Sequence, residues 1–230
     1  MAWLQDLSGL LFPEACTVCG RETQKTENAL CQICRLDLPV IISNPLGNFP
    51  PMARKFEGLI PVKQAYAYLQ FGKSSATRQI LHALKYGRRP ELARQMGLML
   101  AEELLFRGLQ EKPDLILPVP MHPSKELKRG YNQAFEFGRG LAERLGAEVS
   151  DQILLKQRVT ETQTRKSKLA RILNVSEVFV LDESNREVLV GKNVWLVDDV
   201  ITTGSTMLAS ARLLAEEPIQ SLGLAAIAMA

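Results

Sequence analysis

Two neighbouring carboxylates, Asp198 and Asp199, follow an apolar run at residues 194–197 and precede a stretch rich in threonine, serine and glycine. The run is typical of an interior strand of a parallel sheet. Residues 206–215 then place apolar side chains at helical spacing. The segment therefore predicts a strand, a polar loop and a helix whose N-terminus holds an anion. Two charges at the end of a buried strand are costly unless they bind something, which indicates a binding site.

The polar loop has the groups that a phosphate needs. It contains five consecutive small or hydroxyl-bearing residues: Thr202, Thr203, Gly204, Ser205 and Thr206. Their hydroxyls and backbone N–H groups can donate to phosphate oxygens, and the glycine allows close backbone approach. Since a carboxylate repels a phosphate, we expect Asp198 and Asp199 to face sugar hydroxyls or a magnesium ion. An acidic pair at a strand end is also typical of magnesium-binding receiver-type and phosphatase-type folds, but the loop favours a phosphorylated sugar.

The cysteines form two C-x2-C pairs separated by eleven residues: Cys16, Cys19, Cys31 and Cys34. Two such pairs can offer four thiolates to one tetrahedral ion. The alternatives are two disulfides, which a cytoplasmic setting disfavours, and four idle thiols. The spacing therefore predicts a structural zinc ion with no position open for water. Residues 13–48 contain few apolar side chains, so the metal would supply the stability that this segment lacks.

The elements that must position these residues alternate along the chain. Strands are predicted at residues 62–71, 114–120, 153–155, 178–181, 194–197 and 222–230, and helices at 74–86, 90–106, 131–145 and 206–215. This alternation predicts an α/β fold: a parallel sheet with helices on both faces and ligands at the carboxyl ends of the strands. Residues 44–51 are typical of a linker. They divide the chain into a zinc-binding module with an N-terminal helix (1–50) and a larger domain (51–230).

Composition and charge limit the classes of protein to consider. The 230 residues are 46% hydrophobic and 23% charged, which is typical of a globular protein and not of a disordered or fibrous one. No apolar run approaches the roughly 18–20 residues that span a bilayer. The start of the chain lacks the basic segment of a secretory signal. We therefore expect a cytoplasmic protein without a membrane span; the oligomeric state is not indicated.

The positive charge is concentrated in one stretch. Residues 156–171 hold six basic residues and one acidic residue, a net charge of +5, whereas the whole chain carries +3. Such a stretch is either a solvated surface or a basic loop that closes over phosphates or contacts a nucleic-acid backbone. Outside it, Lys85 and Arg129 flank turns, and we expect both to contact phosphate.

At this point the chain resembles the type I phosphoribosyltransferases, and within them the ComF family, also called competence protein F. Residues 194–206, VWLVDDVITTGST, are similar to the loop of that superfamily that binds phosphoribosyl pyrophosphate (PRPP). The likeness to ComF rests on four motifs: the paired CxxC, HALKYGRR at 82–89, PVPMHPSKELKRGYNQA at 118–134 and RVTETQ at 158–163. The resemblance covers nearly the whole chain.

The resemblance implies a role for each motif. Asp198 and Asp199 would be the catalytic pair that binds the ribose 2′- and 3′-hydroxyls, and residues 202–206 would hold the 5′-phosphate. Val119 and Pro120 would lie beside the pyrophosphate. Arg158 would belong to a flexible basic loop that closes over PRPP, with Mg2+ bridging.

The resemblance also implies a function. A ComF-like protein would bind PRPP with Mg2+ and act in DNA uptake and natural transformation, with single-stranded DNA and a competence helicase as partners. The alternative is an active phosphoribosyltransferase of nucleotide metabolism with an unidentified base as acceptor. Five aromatic residues are candidates for stacking on DNA bases: Tyr66, Tyr68, Phe71, Tyr86 and Tyr131.

Overall fold

The structure, a computed structural model, describes residues 15–24, 27–41, 51–72, 75–157 and 178–230. The helices, in chain order, are α1 (Gln32–Leu36), α2 (Pro51–Phe56), α3 (Ser75–Tyr86), α4 (Pro90–Phe106), α5 (Pro123–Arg129), α6 (Gln133–Leu145) and α7 (Ser205–Ala215), with a 3-10 helix at Glu183–Leu189. The strands are β1 (Gln64–Gln70), β2 (Leu115–Pro118), β3 (Glu148–Val149), β4 (Leu154–Gln157), β5 (Val178–Leu181), β6 (Asn193–Ile201) and β7 (Ser221–Met229). Within these ranges, no helix has the length and apolar character needed to cross a membrane.

Five strands form a parallel sheet in the order β1-β7-β6-β2-β3. The predicted α/β fold with a parallel sheet is therefore confirmed. The strands at 153–155 and 178–181 were expected to continue this alternation, but β4 and β5 pair with each other, antiparallel, in a separate two-stranded sheet. An antiparallel pair needs only a connection that turns back on itself, whereas joining the parallel sheet needs a full crossover.

Helices cover both faces of the parallel sheet, as predicted. Along β6, Trp195 and Val197 belong to one buried cluster, and Val194 and Leu196 belong to the other. The first cluster also contains side chains from α3, α4 and α6, and the second contains side chains from α2 and α7. Because successive residues of a strand point to opposite faces, a continuous apolar strand can be buried on both sides.

Helices α4 and α6 cross with their backbones almost in contact. A Cβ atom on Gly97 would lie 2.1 Å from the carbonyl oxygen of Phe137, and one on Gly140 would lie 2.0 Å from that of Arg94. Only glycine fits at either position. The close crossing fixes α6 against the sheet, so the N-terminus of α6 is held at the carboxyl end of β2.

The described residues from 15 to 41, which we call the cysteine module, pack directly on α4. Arg89 donates through Nη1 to the carbonyl oxygen of Ala15 (3.1 Å) and to Oγ1 of Thr17 (2.9 Å), and Gln95 donates to the carbonyl oxygen of Glu27 (3.0 Å). Leu30 of the module belongs to the same buried cluster as α3 and α4. The predicted boundary at residue 50 lies outside the described ranges and stays a prediction.

Three local predictions need correction. Strand β6 continues through Asp198 and Asp199 to Ile201, so the acidic pair lies within the strand and not in a loop after it; β7 pairs with it throughout, with Ala228 opposite Val200. Helix α5 lies between the predicted strand at 114–120 and the predicted helix at 131–145, where no helix was expected. Pro51, expected at the end of a linker, begins α2.

Candidate functional site

A cleft of about 250 Å³ opens where β6 continues beyond the end of the neighbouring strand β2. β2 ends at Pro118, opposite Val197, whereas β6 continues to Ile201. Seven of the predicted site residues line this cleft: Lys85, Val119, Pro120, Arg129, Asp198, Asp199 and Thr206. They come from parts of the chain more than 100 residues apart, and the sheet brings them together at its carboxyl edge.

The two carboxylates occupy the floor of the cleft, where β2 is absent. Asp198 and Asp199 are half-buried, and the backbone N–H of Asp199 donates to Oδ1 of Asp198 at 2.8 Å. This bond fixes the orientation of the first carboxylate and satisfies a backbone donor at the point where β2 no longer pairs with β6. The arrangement offers carboxylate oxygens to sugar hydroxyls or to a hard cation such as Mg2+.

Basic side chains line the cleft opposite the carboxylates. Lys85 is in the last turn of α3, Arg129 ends α5, and both were predicted. Sequence reasoning missed Lys125, and it considered Lys156 only as part of the basic stretch 156–171; both line the same cleft. Four basic residues and two acidic ones suit an anion with several negative charges whose other groups are hydroxyls or a bound cation.

The phosphate loop, residues 202–206, leads directly into helix α7. Gly204 has φ of 81°, a left-handed conformation, and precedes the helix, while the hydroxyls of Thr203 and Ser205 lie 3.0 Å apart. Thr206 lines the cleft, whereas the other four residues of the loop are not among its lining residues; of these, Gly204 is buried and the rest are exposed. The start of this 11-residue helix therefore lies at the cleft through Thr206, and the N–H groups of a first helical turn, which have no intrahelical partner, can bind an anion.

Helix α2 supports the phosphate loop from behind, and sequence reasoning missed it. The ring of buried Phe56 is so close that a Cβ on Gly204 would lie 3.2 Å from its Cζ. Lys55 donates through Nζ to the carbonyl oxygen of Thr202 at 2.6 Å. The available signal was a short amphipathic pattern after Pro51, with Met52 and Phe56 both buried.

Helix α5 and its caps shape the opposite wall. The imidazole Nδ1 of His122 accepts from the backbone N–H of Ser124, so this histidine caps the helix. Gly130 ends α5 in a left-handed conformation with φ of 85°. Asn132 then caps α6 through its side-chain oxygen and donates its amide to the carbonyl oxygen of Val119 at 3.3 Å. Residues 118–134 are thus a helix between two fixed turns.

Some predicted groups lie away from the cleft or outside the described residues. Arg158 and the rest of the basic stretch up to residue 171 lie outside the described residues; Lys156 is its one described basic side chain. Among the aromatic candidates for base stacking, Tyr68 is 5% exposed, and Tyr66 and Tyr131 are half-buried, so these three are not surface platforms. Tyr86 is 65% exposed and Phe71 is 38% exposed.

The four cysteines converge as the spacing predicted. They are free thiols, and their Sγ atoms all lie within 4.8 Å of one another, with 3.7 Å between those of Cys19 and Cys31. A tetrahedral zinc site with Zn–S bonds of about 2.3 Å has sulfur atoms about 3.8 Å apart. The cluster therefore fits a zinc ion in its donor set and its dimensions.

The backbone around the cluster favours thiolate at one position. Burial raises the pKa of Cys16, but hydrogen bonds from the backbone N–H groups of Cys19, Cys31 and Val18 outweigh it and lower that pKa to about 6. Burial and hydrogen bonds from the neighbouring thiols raise the pKa of Cys34. One thiolate thus forms readily, and its negative charge disfavours ionisation of the neighbouring thiols. A bound cation would remove this repulsion.

Comparisons with known proteins show a phosphoribosyl transferase domain in this chain. Residues 98–229 match the model of the phosphoribosyl transferase domain family. "DNA utilization protein YhgH" of Shigella flexneri is 31% identical over 204 residues, which are 86% of this chain and 83% of that protein. "Competence protein F" of Haemophilus influenzae is 38% identical over 116 residues, 49% of this chain and 50% of that protein. "Competence protein ComFC" of Bacillus subtilis is 32% identical over 107 residues, 46% of this chain and 40% of that protein.

Proposed function

Because the chain belongs to the ComF family of proteins with a phosphoribosyltransferase domain, we propose that its cleft binds PRPP with Mg2+. We also propose that the protein is located in the cytoplasm and acts there in DNA uptake. One observation carries the proposal for PRPP. Two carboxylates, four basic side chains and the start of α7 meet in a single cleft. PRPP has a matching set of groups: a diol, a pyrophosphate and a separate monophosphate.

Each group of PRPP has a proposed place. The 5′-phosphate lies on the phosphate loop, where N–H groups and hydroxyls donate to its oxygens. The ribose hydroxyls donate to Asp198 and Asp199. The pyrophosphate lies against Lys85, Arg129 and the Val119–Pro120 turn. Bound Mg2+ would neutralise charge on the pyrophosphate, and the two aspartates, the acidic side chains among the described residues that line the cleft, could hold it.

We propose that the cysteine cluster holds structural zinc. All four ligands are side chains of the cysteine module, so a bound ion has no position open for water. The cluster lies in a module that packs on α4 through Arg89 and Gln95. Zinc is therefore a folding element in this proposal and takes no part in chemistry at the cleft.

Calorimetry with PRPP and Mg2+ tests the proposed ligand. We expect wild type to bind and Asp198→Asn/Asp199→Asn to lose affinity by about 100-fold, since two charge-assisted contacts are removed. The matched control is Glu102→Gln/Glu103→Gln, which removes two adjacent carboxylates from α4, outside the cleft lining. The proposal is wrong if folded, zinc-loaded wild type binds no PRPP.

The role in DNA uptake and the enzymatic alternative need separate measurements. The names of the relatives, "Competence protein F" and "DNA utilization protein", support the first. Binding of a single-stranded oligonucleotide that weakens steeply with salt, and that Lys166→Gln/Lys168→Gln reduces, would support DNA handling. Release of pyrophosphate from PRPP that depends on an added nucleobase would instead identify a phosphoribosyltransferase.

A further inference from the structure

Gln133 is a fully buried polar residue at the back of the cleft. Its side chain is 0% exposed, and both polar ends of its amide are used. The Nε2 group donates to the carbonyl oxygen of Leu84 at 2.8 Å, and Oε1 accepts from Nη1 of Arg129 at 2.9 Å. One amide therefore joins the last turn of α3 to the end of α5.

The carbonyl of Leu84 is one of the last in α3, where intrahelical partners run out. It accepts a second hydrogen bond, from the hydroxyl of Tyr131 at 2.8 Å, and that hydroxyl also lies 3.2 Å from the carbonyl oxygen of Arg89. Burial raises the pKa of Tyr131 to about 12, so the phenol stays a donor at neutral pH. Residues 131 and 133 together fix the end of α3.

Both helix ends carry a basic side chain of the cleft. Lys85 directly follows Leu84, and Arg129 is itself the partner of Gln133. Arg129 uses Nη1 on the buried amide, and the guanidinium, which lines the cleft, has further N–H groups that can donate to a ligand. Fixing a long cation before the ligand arrives reduces the side-chain entropy lost on binding.

We propose that Gln133 is a positioning residue that sets Lys85 and Arg129 as a cation pair for the pyrophosphate end of the ligand. This inference rests on the proposed function, because it assigns a part of PRPP to that pair. The inference gives each end of the cleft its own determinant. Gln133 determines affinity at the end that binds pyrophosphate, and the phosphate loop determines affinity at the end that binds the 5′-phosphate.

The test compares three ligands, PRPP, inorganic pyrophosphate and ribose 5-phosphate, each with Mg2+, in calorimetry on the full chain. Gln133→Met keeps the side-chain length and removes both hydrogen bonds. We expect it to weaken PRPP and pyrophosphate by about tenfold or more, as for the loss of a charged hydrogen bond, and to change ribose 5-phosphate by less than about twofold. Gln95→Met is the matched control, since Gln95 is also a buried glutamine in a helix but contacts the cysteine module.

A second variant, Tyr131→Phe, keeps the ring and removes the hydroxyl, with its hydrogen bond to Leu84 and its longer contact with Arg89. It is expected to weaken pyrophosphate selectively by about threefold, and it decides the question if Gln133→Met does not fold. Equal loss of pyrophosphate and ribose 5-phosphate, no loss, or the same selective loss in Gln95→Met would overturn the inference while leaving PRPP binding intact. If folded wild type binds none of the three ligands, the proposed function fails and this inference fails with it.

Discussion

The cysteine module holds its four ligands on short, irregular backbone, whereas the cleft holds its groups on the ends of strands and helices. In the module, the regular structure around the cysteines is the five-residue helix α1 and a single bridge between Ala15 and Glu22. In the cleft, β2, β6, α6 and α7 all end or begin at the site, and each is buried in the main clusters.

This contrast separates two ways of building a binding site. In the module the ligand side chains also hold the fold, so metal binding contributes directly to folding. In the cleft, Asp198, Lys85 and Arg129 line the cavity while other residues carry the packing. The cleft therefore exists before its ligand binds, and a change to one of its polar side chains alters affinity more than stability.

Removal of the metal should produce the largest effect. We expect chelation to remove about 10 kcal/mol or more of binding free energy, and Cys31→Ser to remove part of it, and both to unfold the cysteine module, because the bound metal would hold its short, irregular backbone together. Hydrogen exchange would then show loss of protection at residues 15–41 and retained protection in β6 and β7. Re-addition of zinc after chelation is the control. Simultaneous loss of protection in the sheet would contradict the contrast, since it would make the two regions one cooperative unit.

The second prediction concerns the scaffold of the cleft. Gly140→Ala would place a methyl group about where the carbonyl of Arg94 lies, so we expect the free energy of unfolding to fall by about 3 kcal/mol or more. Gly72→Ala is the control, because nothing lies within 4 Å of an added Cβ there. Denaturant unfolding measures both. If the two variants are equally stable, helices α4 and α6 do not cross as closely as described.

The third prediction tests the support behind the phosphate loop. Phe56→Leu leaves a gap against Gly204, so the free energy of unfolding should fall by about 1–2 kcal/mol. Relative to wild type, the variant should lose several-fold more affinity for ribose 5-phosphate than for pyrophosphate. This selectivity is the reverse of that expected for Gln133→Met. The control is Phe106→Leu at a ring that is 88% exposed. Equal weakening of both ligands by Phe56→Leu would mean that the two ends of the cleft are not independent.

Local signals in the sequence were enough for most of the fold. Apolar runs and helical spacing predicted α4 at residues 90–106, and the structure has it at Pro90–Phe106. Helix α5 was also within reach: Pro123 at its first turn, His122 as its cap and Gly130 at its end are local signals that went unused. The cysteine spacing predicted the cluster, because two pairs on tight turns need little else to converge.

What the sequence did not reveal depends on partners distant in the chain. The length of β6 is set by β7, where Ala228 and Met229 continue the pairing beyond the acidic residues. The role of Gln133 depends on Leu84, 49 residues earlier. Phe56 supports a loop almost 150 residues later, and no pattern around Phe56 indicates that contact. Roles of this kind follow from tertiary packing and not from motif spacing.

The smallest predicted effect distinguishes support from direct binding at the phosphate loop. Lys55 is partly exposed, and its ammonium donates to the carbonyl of Thr202. If it only steadies the loop, Lys55→Met should cost about 0.5 kcal/mol of stability and weaken ribose 5-phosphate by about twofold. Lys63→Met is the control, because Lys63 is also exposed but pairs with Glu111 away from the loop. A tenfold loss of affinity for ribose 5-phosphate in Lys55→Met, present at low salt and absent at high salt, would instead make Lys55 a contact of the 5′-phosphate. The cleft would then extend to α2.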